Sequence, residues 1–300
     1  MSGLIYKSGR YLSLCKPNLI PLLVISMACP MVVAAGNEFP YVKLLAALVG
    51  GSLVVASANI CNCVYDRDID AIMNRTKSRP MPNGEISVFA ALLFSAVLGI
   101  AGLAILALWT TKLAAFVSFC GHIYYSVIYT ILLKRTTPQN IVIGGGAGAV
   151  PPLVGWAAIT GSLPLVSWLL FLLIFLWTPP HFWALALVKS GDYKAANIPM
   201  MPLTHGEKVT VNQMFWYSLS LIPIPGIILL TDNHLGWFFF VIMTALGVVF
   251  SYLVYSLRRE IYAEGAAKDA KSWKVFGFSL IYLSVFFASL VIDWAFNRFL

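Results

Sequence analysis

Apolar residues in this chain come in long unbroken runs, without the alternating or three-and-four spacing of elements that face water on one side. Nine such runs, at 18–36, 44–62, 87–108, 113–133, 141–160, 164–187, 214–231, 234–257 and 275–296, are separated by shorter polar connections. A hydrocarbon core of roughly 30 Å needs about 20 apolar residues per helix, and a helix satisfies its own backbone there. The pattern predicts an all-α polytopic membrane protein with nine transmembrane helices. The first run is expected to stay in the membrane, because no small-residue cleavage site followed by soluble chain comes after it. No appended soluble region interrupts the pattern, so residues 1–300 read as a single integral-membrane domain.

Composition excludes the competing classes. At 60% hydrophobic and 11% charged residues, the chain is far from soluble or disordered sequence, and five Cys are too few for a disulfide scaffold. The net charge of +8 invites a nucleic-acid partner, so the positions of the basic residues matter. Seventeen Lys and Arg fall in segments 1–17, 63–86, 134–140, 188–213 and 258–274, against three in the alternate connections. That asymmetry places the N-terminus in the cytoplasm and, with nine crossings, the C-terminus on the far side. It accounts for most of the basic charge, and no nucleic-acid partner is expected.

Two of the inner connections, 63–86 and 188–213, are long and mix charges, aromatics and prolines, which points to function on the cytoplasmic side. The second run enters the first of them through N-C-V-Y-D-R-D-I-D, with Asn62, Asp66 and Asp70 at i, i+4 and i+8. On a continuing helix these share one face, while Asp68 points elsewhere. Carboxylates clustered at a helix C-terminus repel one another and the macrodipole, so a cation is expected on that face. Mg²⁺ suits it, since that ion takes one or two carboxylates and completes its shell with water and phosphate oxygens. Arg75, Lys77 and Arg79 follow closely, and guanidinium groups bind phosphate in bidentate fashion. Carboxylates, metal and arginines together describe a diphosphate site.

These residues resemble the N-x-x-x-D-x-x-x-D signature of the intramembrane prenyltransferase superfamily. Further segments are similar to its protohaem IX farnesyltransferase branch: N-R-T-K-S-R-P at 74–80, the stretch 129–156 from Y-T-I-L-L-K-R to P-P-L-V-G-W, W-T-P-P-H-F-W-A-L-A at 177–186 and D-Y-K-A-A-N-I-P-M-M-P at 192–202. The wider superfamily carries a second acidic motif after the sixth helix. Here His181 stands near that place, with only Asp192 beyond it, as in the haem branch, which puts a second carboxylate-held metal in doubt.

The resemblance implies transfer of farnesyl from farnesyl diphosphate to a vinyl group of haem b, giving haem O and diphosphate. It also implies a bacterial inner-membrane location with a periplasmic C-terminus, and a haem A synthase or terminal-oxidase assembly machinery as further partners. Asn62, Asp66 and Asp70 are assigned to Mg²⁺, and Arg75, Arg79, Lys134 and Arg135 to the diphosphate. Lys134 and Arg135 also end a helix on the inner side, where orientation charges are common. The farnesyl chain calls for a slot between helices, within a central cavity open to the cytoplasmic side; Tyr65, Tyr124, Tyr125 and Tyr129 are candidate walls or ordinary interface aromatics. Trp177, Phe182 and Trp183, with His181 beside a helix break at Pro179–Pro180, form the candidate haem-binding segment. His122 is a candidate second iron ligand.

Gly144, Gly145, Gly146 and Gly148 follow no strand and suit close helix packing better than phosphate binding, and Pro151–Pro152 should kink that helix. Cys61 and Cys63 read as structural. The alternatives are prenylation of a quinone precursor or other aromatic acceptor, an ion-coupled transporter, and a non-catalytic haem-binding assembly factor. The missing second acidic motif disfavours the first. A transporter calls for carboxylates near the midplane, and the runs between 87 and 187 hold none. An assembly factor needs no Asn62/Asp66/Asp70 set.

Overall fold

The computed structural model describes residues 2–36, 39–74 and 76–299, and every regular element among them is helical. In chain order these are α1 (Ser2–Leu14), α2 (Ile20–Ala34), α3 (Tyr41–Tyr65), α4 (Arg67–Ile72), α5 (Val88–Trp109) and α6 (Lys112–Ile123), which continues as a π-helical stretch (Tyr124–Leu133). Then come α7 (Asn140–Ala149), α8 (Pro151–Thr160), α9 (Leu165–Val188), α10 (Ser190–Ala195) and α11 (Met201–Thr204). The last four are α12 (Gly206–Ser220), α13 (Ile224–Thr231), α14 (Trp237–Tyr262) and α15 (Lys268–Phe299).

Eight spans are long and apolar enough to cross a membrane: α3, α5, α6 with its π-helical extension, α7 with α8, α9, α12 with α13, α14 and α15. The count of nine is therefore not confirmed. The first expected run forms α2, whose 15 residues rise only about 22 Å at ~1.5 Å each, short of a hydrocarbon core of about 30 Å. It nevertheless packs within the bundle, against α3, α8 and α15. The other eight expected runs fall on the eight spans, with ends within one residue at most edges and three to eight residues away at the rest.

Local chemistry sets several boundaries. Ser87 and Thr111 accept hydrogen bonds from Ala90 N (3.2 Å) and Ala114 N (3.0 Å), capping α5 and α6. Pro151 and Pro152 open α8, splitting that span where a kink is expected. The expected break at Pro179–Pro180 does not occur, and α9 runs through both prolines. In a bundle, tertiary packing holds a proline-containing helix together although backbone donors are missing. Backbones approach closely between α3 and α5, where a Cβ on Gly102 would sit 2.6 Å from the Gly50 carbonyl.

The two long connections also meet. Ile69 and Met73 from the first and Ile198, Met200 and Met201 from the second are buried in one apolar cluster with residues of α9, α14 and α15. The end of α3 is thereby seated beneath folded structure rather than a loose loop.

Candidate functional site

The end of α3 passes into α4 with no loss of helical register. Asp66 N donates to Asn62 O at 2.9 Å and Asp70 N to Asp66 O at 2.8 Å, so the spacing read from sequence becomes one face. Asn62, Asp66 and Asp70 are all buried, at 3%, 1% and 3% exposure. Buried carboxylates demand partners, and Lys134, Arg135 and Arg79 supply them, while Lys16 meets the Asn62 amide.

Lys134 Nζ, just beyond the π-helical stretch, lies 2.5 Å from Asp66 Oδ2. Asn62 Nδ2 donates to the same oxygen at 2.8 Å and to Thr130 Oγ1 at 3.0 Å. The opposite end of that amide, Asn62 Oδ1, accepts from Lys16 Nζ at 2.5 Å. Arg79 pairs with Asp70 Oδ2 at 2.8 Å, and Thr76 Oγ1 donates to the Asp70 carbonyl at 3.1 Å. Burial pushes the ammonium groups of Lys16 and Lys134 below the ordinary lysine range, against the pull of the nearby carboxylates.

Asp68 points away, as its place between the face residues requires. It is an exposed partner of Arg135, held by two hydrogen bonds of 2.6 and 2.7 Å that draw its carboxyl down to about 2. Arg135 lies over the Tyr65 ring, 4.6 Å from its centroid, and 3.9 Å from Asp66 Oδ1. That last distance is too long for a hydrogen bond, and Asp66 Oδ1 is buried without a hydrogen-bond partner. Among the sequence-assigned residues, Asn62, Asp66, Asp70, Arg79, Lys134 and Arg135 thus come together. Arg75 lies outside the described residues.

Among the described residues no three His, Cys, Asp or Glu side chains converge as a closed metal site. Mg²⁺ needs no such cage when phosphate oxygens complete its shell. Two carboxylates and an amide oxygen, with Asp66 Oδ1 free of hydrogen bonds, suit such a hard cation bound together with an anionic substrate.

Sequence reasoning missed Lys16, Thr130 and Asn59. Lys16 looked like an orientation charge before the first apolar run; the sign that it does more is its left-handed backbone, φ +52°, seen only in the fold. Thr130 reaches Asn62 from a π-helical stretch, where its own hydroxyl bonds back five residues to Tyr125 O at 2.8 Å. Asn59 is one turn from Asn62 and ties the end of α1 to α3 through Cys15 O at 3.0 Å. Cys63 bonds the Leu14 carbonyl while Cys61 contacts Ser95, so the C-x-C residues face different partners as free thiols.

An apolar cavity extends from Asn59 and Tyr125 into the bundle between α2, α3, α6, α7 and α8. Of the four tyrosines, Tyr125 lines it and stacks on Tyr129 at 5.7 Å, Tyr124 bonds Ile143 O, and Tyr65 lies under Arg135. His122 also lines it, its ring nitrogens engaged by Ser57 (3.0 Å) and Ser126 (3.3 Å). The glycine run packs helices: a Cβ on Gly145 would lie 2.7 Å from Thr178 of α9, and one on Gly144 would enter the Tyr129 ring.

The second candidate segment lies against α15. His181 is buried between the rings of Trp177 (4.3 Å) and Phe276 (4.8 Å), and its Nδ1 is 2.6 Å from Ser279 Oγ. Trp177 Nε1 donates to Ser279 O at 2.9 Å. Phe182 is half-exposed, whereas Trp183 is buried edge-on to Tyr217. Trp177 and His181 therefore group together, and Trp183 faces another neighbour.

The fold is thus an integral-membrane helical bundle that gathers carboxylates and cations one helical turn from Asn59, which lines an apolar cavity. The chain belongs to the UbiA prenyltransferase family, whose match covers residues 22–280. Among its relatives, the protoheme IX farnesyltransferase of a Synechocystis sp. is 44% identical over 291 residues, covering 97% of this chain and 90% of the relative. That of Gloeobacter violaceus is 44% identical over 283 residues, covering 94% and 91%. Solved structures share the fold at low identity. A digeranylgeranylglyceryl phosphate synthase matches with a TM-score of 0.77 at 19% identity, covering 96% of this chain and 98% of that one. A UbiA homologue from Archaeoglobus fulgidus bound to GPP and Mg²⁺ gives 0.63 at 16%, covering 94% and 99%.

Proposed function

We propose that this chain transfers the farnesyl group of farnesyl diphosphate to a vinyl group of haem b, producing haem O and diphosphate, in a bacterial inner membrane with the acidic face toward the cytoplasm. The observation that carries the reading is the Asn62/Asp66/Asp70 face, buried, ringed by Lys16, Lys134, Arg135 and Arg79, with Asp66 Oδ1 left without a hydrogen bond. Names of relatives at 44% identity supply the acceptor.

The hard step is heterolysis of an allylic C–O bond, in which the farnesyl chain becomes positive as the diphosphate gains negative charge. Bound Mg²⁺ would neutralise the leaving diphosphate. Asp66 and Asp70 would hold that ion, with Asn62 Oδ1 as third donor. Each carboxylate meanwhile positions a cation, Lys134 or Arg79, that can turn to the phosphate oxygens and stabilise charge formed only as the bond breaks. Arg135, shared between Asp68 and the edge of Asp66, adds a donor on the outer side, and Arg75 is assigned there from sequence. The apolar slot below Asn59 takes the chain, with Tyr125 at its opening offering a π-face to the allylic cation. New carbon–carbon bonding at the vinyl terminus leaves a cation beside the porphyrin; water adds to it and gives up a proton to the released diphosphate, leaving the hydroxyethylfarnesyl group.

His181, sandwiched by Trp177 and Phe276, is assigned to the haem, with half-exposed Phe182 beside it. A haem A synthase or an oxidase assembly factor is the proposed recipient of the product. Purified protein given farnesyl diphosphate, haem b and Mg²⁺ should form haem O, detected by chromatography, and the Asp66→Ala protein should not. A folded wild-type protein that forms none would refute the reading.

A further inference from the structure

The apolar cavity has a depth that can be counted on its walls. On α3 its lining runs from Asn59 to Gly51, and on α2 from Leu19, at the start of the helix, to Met27, eight residue steps in each case. The two helices pack side by side, so both give the same depth, about 12 Å at ~1.5 Å per residue. Measured from Asn62, where the diphosphate would sit, Gly51 is eleven residues down, or roughly 16 Å.

At the far end of this lining Met27 of α2 and Gly51 of α3 meet, beside Val154 of α8. Met27 is 4% exposed, and its Cε and Sδ lie 2.7 and 3.1 Å from where a Gly51 Cβ would stand. Only because residue 51 lacks a side chain can the thioether lie across that end. Met27 cannot retreat as a whole, because α8 backs it closely: a Cβ on Gly155 would collide with the Met27 carbonyl oxygen. Behind the floor come Met31 and Leu106, each fully buried. A flexible thioether backed by a fixed backbone is a floor whose height can be changed by small substitutions.

An extended chain advances roughly 1.2 Å per backbone bond, so a four-bond isoprene unit spans about 5 Å. Two units reach about 10 Å, three about 15 Å and four about 20 Å by the same scale. A depth of ~16 Å below Asn62 accommodates three. We infer that Met27, lying over Gly51, is the specificity-determining floor of the slot and limits the prenyl donor to three isoprene units.

This inference rests on the farnesyl-transfer reading, and its test separates the two. Wild type, Met27→Ala, Gly51→Ala and the double variant are each assayed with haem b, Mg²⁺ and geranyl, farnesyl or geranylgeranyl diphosphate, comparing kcat/KM within each protein. Met27→Ala opens the floor and should raise the four-unit to three-unit ratio by about tenfold or more. Gly51→Ala pushes the thioether up into the slot and should shift preference toward the two-unit donor by a similar factor. The double variant removes the clash and should move back from the Gly51→Ala profile toward longer donors. If wild type uses farnesyl diphosphate while all variants keep its donor ratios within twofold, the floor assignment fails and the functional reading stands. Equal losses on all three donors would likewise overturn it, since they report damaged packing. An inactive wild type would remove the functional reading itself.

Discussion

Lys134 Nζ lies 2.5 Å from Asp66 Oδ2, while the other oxygen of that carboxylate, Oδ1, is buried with no hydrogen-bond partner. Arg135 comes only within 3.9 Å of that oxygen, which keeps hydrogen-bonding capacity that the proposed Mg²⁺ would use. Asp66→Asn keeps the shape and removes the charge. Turnover should fall by roughly 100-fold or more, as when a charge-stabilising group is lost from an active site. Steady-state kinetics at saturating Mg²⁺ measure it, and near-normal turnover would exclude Asp66 from metal binding.

The same pair predicts a stability effect distinct from activity. Asp66→Ala strands the Lys134 ammonium in a largely buried position, which costs about 3 kcal/mol when a buried pair loses one member. The Asp66→Ala/Lys134→Met double variant should recover much of that loss, because neither charge is then left alone. Thermal unfolding of all three proteins in one detergent provides the comparison.

Removing divalent cations offers a third check. Chelation should abolish transfer, and added Mg²⁺ should restore it with an apparent affinity that tightens as farnesyl diphosphate rises, since substrate oxygens complete the metal's shell. Arg79→Ala should raise KM for the diphosphate substrate while leaving haem binding unchanged. An affinity for Mg²⁺ independent of the diphosphate would argue for a closed protein site instead.

The Asp68–Arg135 pair gives a pH prediction whose sign follows from its direction. Asp68 is drawn from the usual 3.8 to about 2 by the guanidinium, so the pair's contribution is present above pH 4 and is lost as pH falls through 2. Asp68 is exposed, so that contribution is under about 1 kcal/mol. Asp68→Asn should therefore leave the pH–activity profile between 5 and 8 unchanged, and a displaced limb in that window would show Asp68 acting in the reaction.

His181 supplies the acceptor test. His181→Ala should weaken haem b binding, followed as the change in the haem absorption band on titration, by about tenfold or more, with farnesyl diphosphate binding intact. Ser279→Ala, which removes only the partner of Nδ1, should weaken it less. Unchanged haem binding in both would move the porphyrin site elsewhere.

Much of this was legible along the chain because the bilayer imposes a simple rule. Eight of nine apolar runs became spans, since every backbone group in hydrocarbon must be bonded within its own helix. The first run, one turn or more too short once its helix had formed, shows where run length and helix length part company. The i, i+4, i+8 face also came from sequence, because helical periodicity is local, and it held across the join between α3 and α4. Pro179–Pro180 misled for the opposite reason: packing around α9, invisible to local rules, holds a helix that the two residues alone would interrupt.

By itself, then, the sequence determined the bundle, the acidic face and the charges near it, all products of short-range periodicity and of the bilayer's demand for internal hydrogen bonds. Which cation meets which carboxylate was decided only by tertiary structure. Lys16 and Lys134 reach Asn62 and Asp66 across 46 and 68 residues, and Met27 lies over Gly51 only because α2 and α3 pack together. Such pairings depend on where distant helices dock, and no local pattern encodes that.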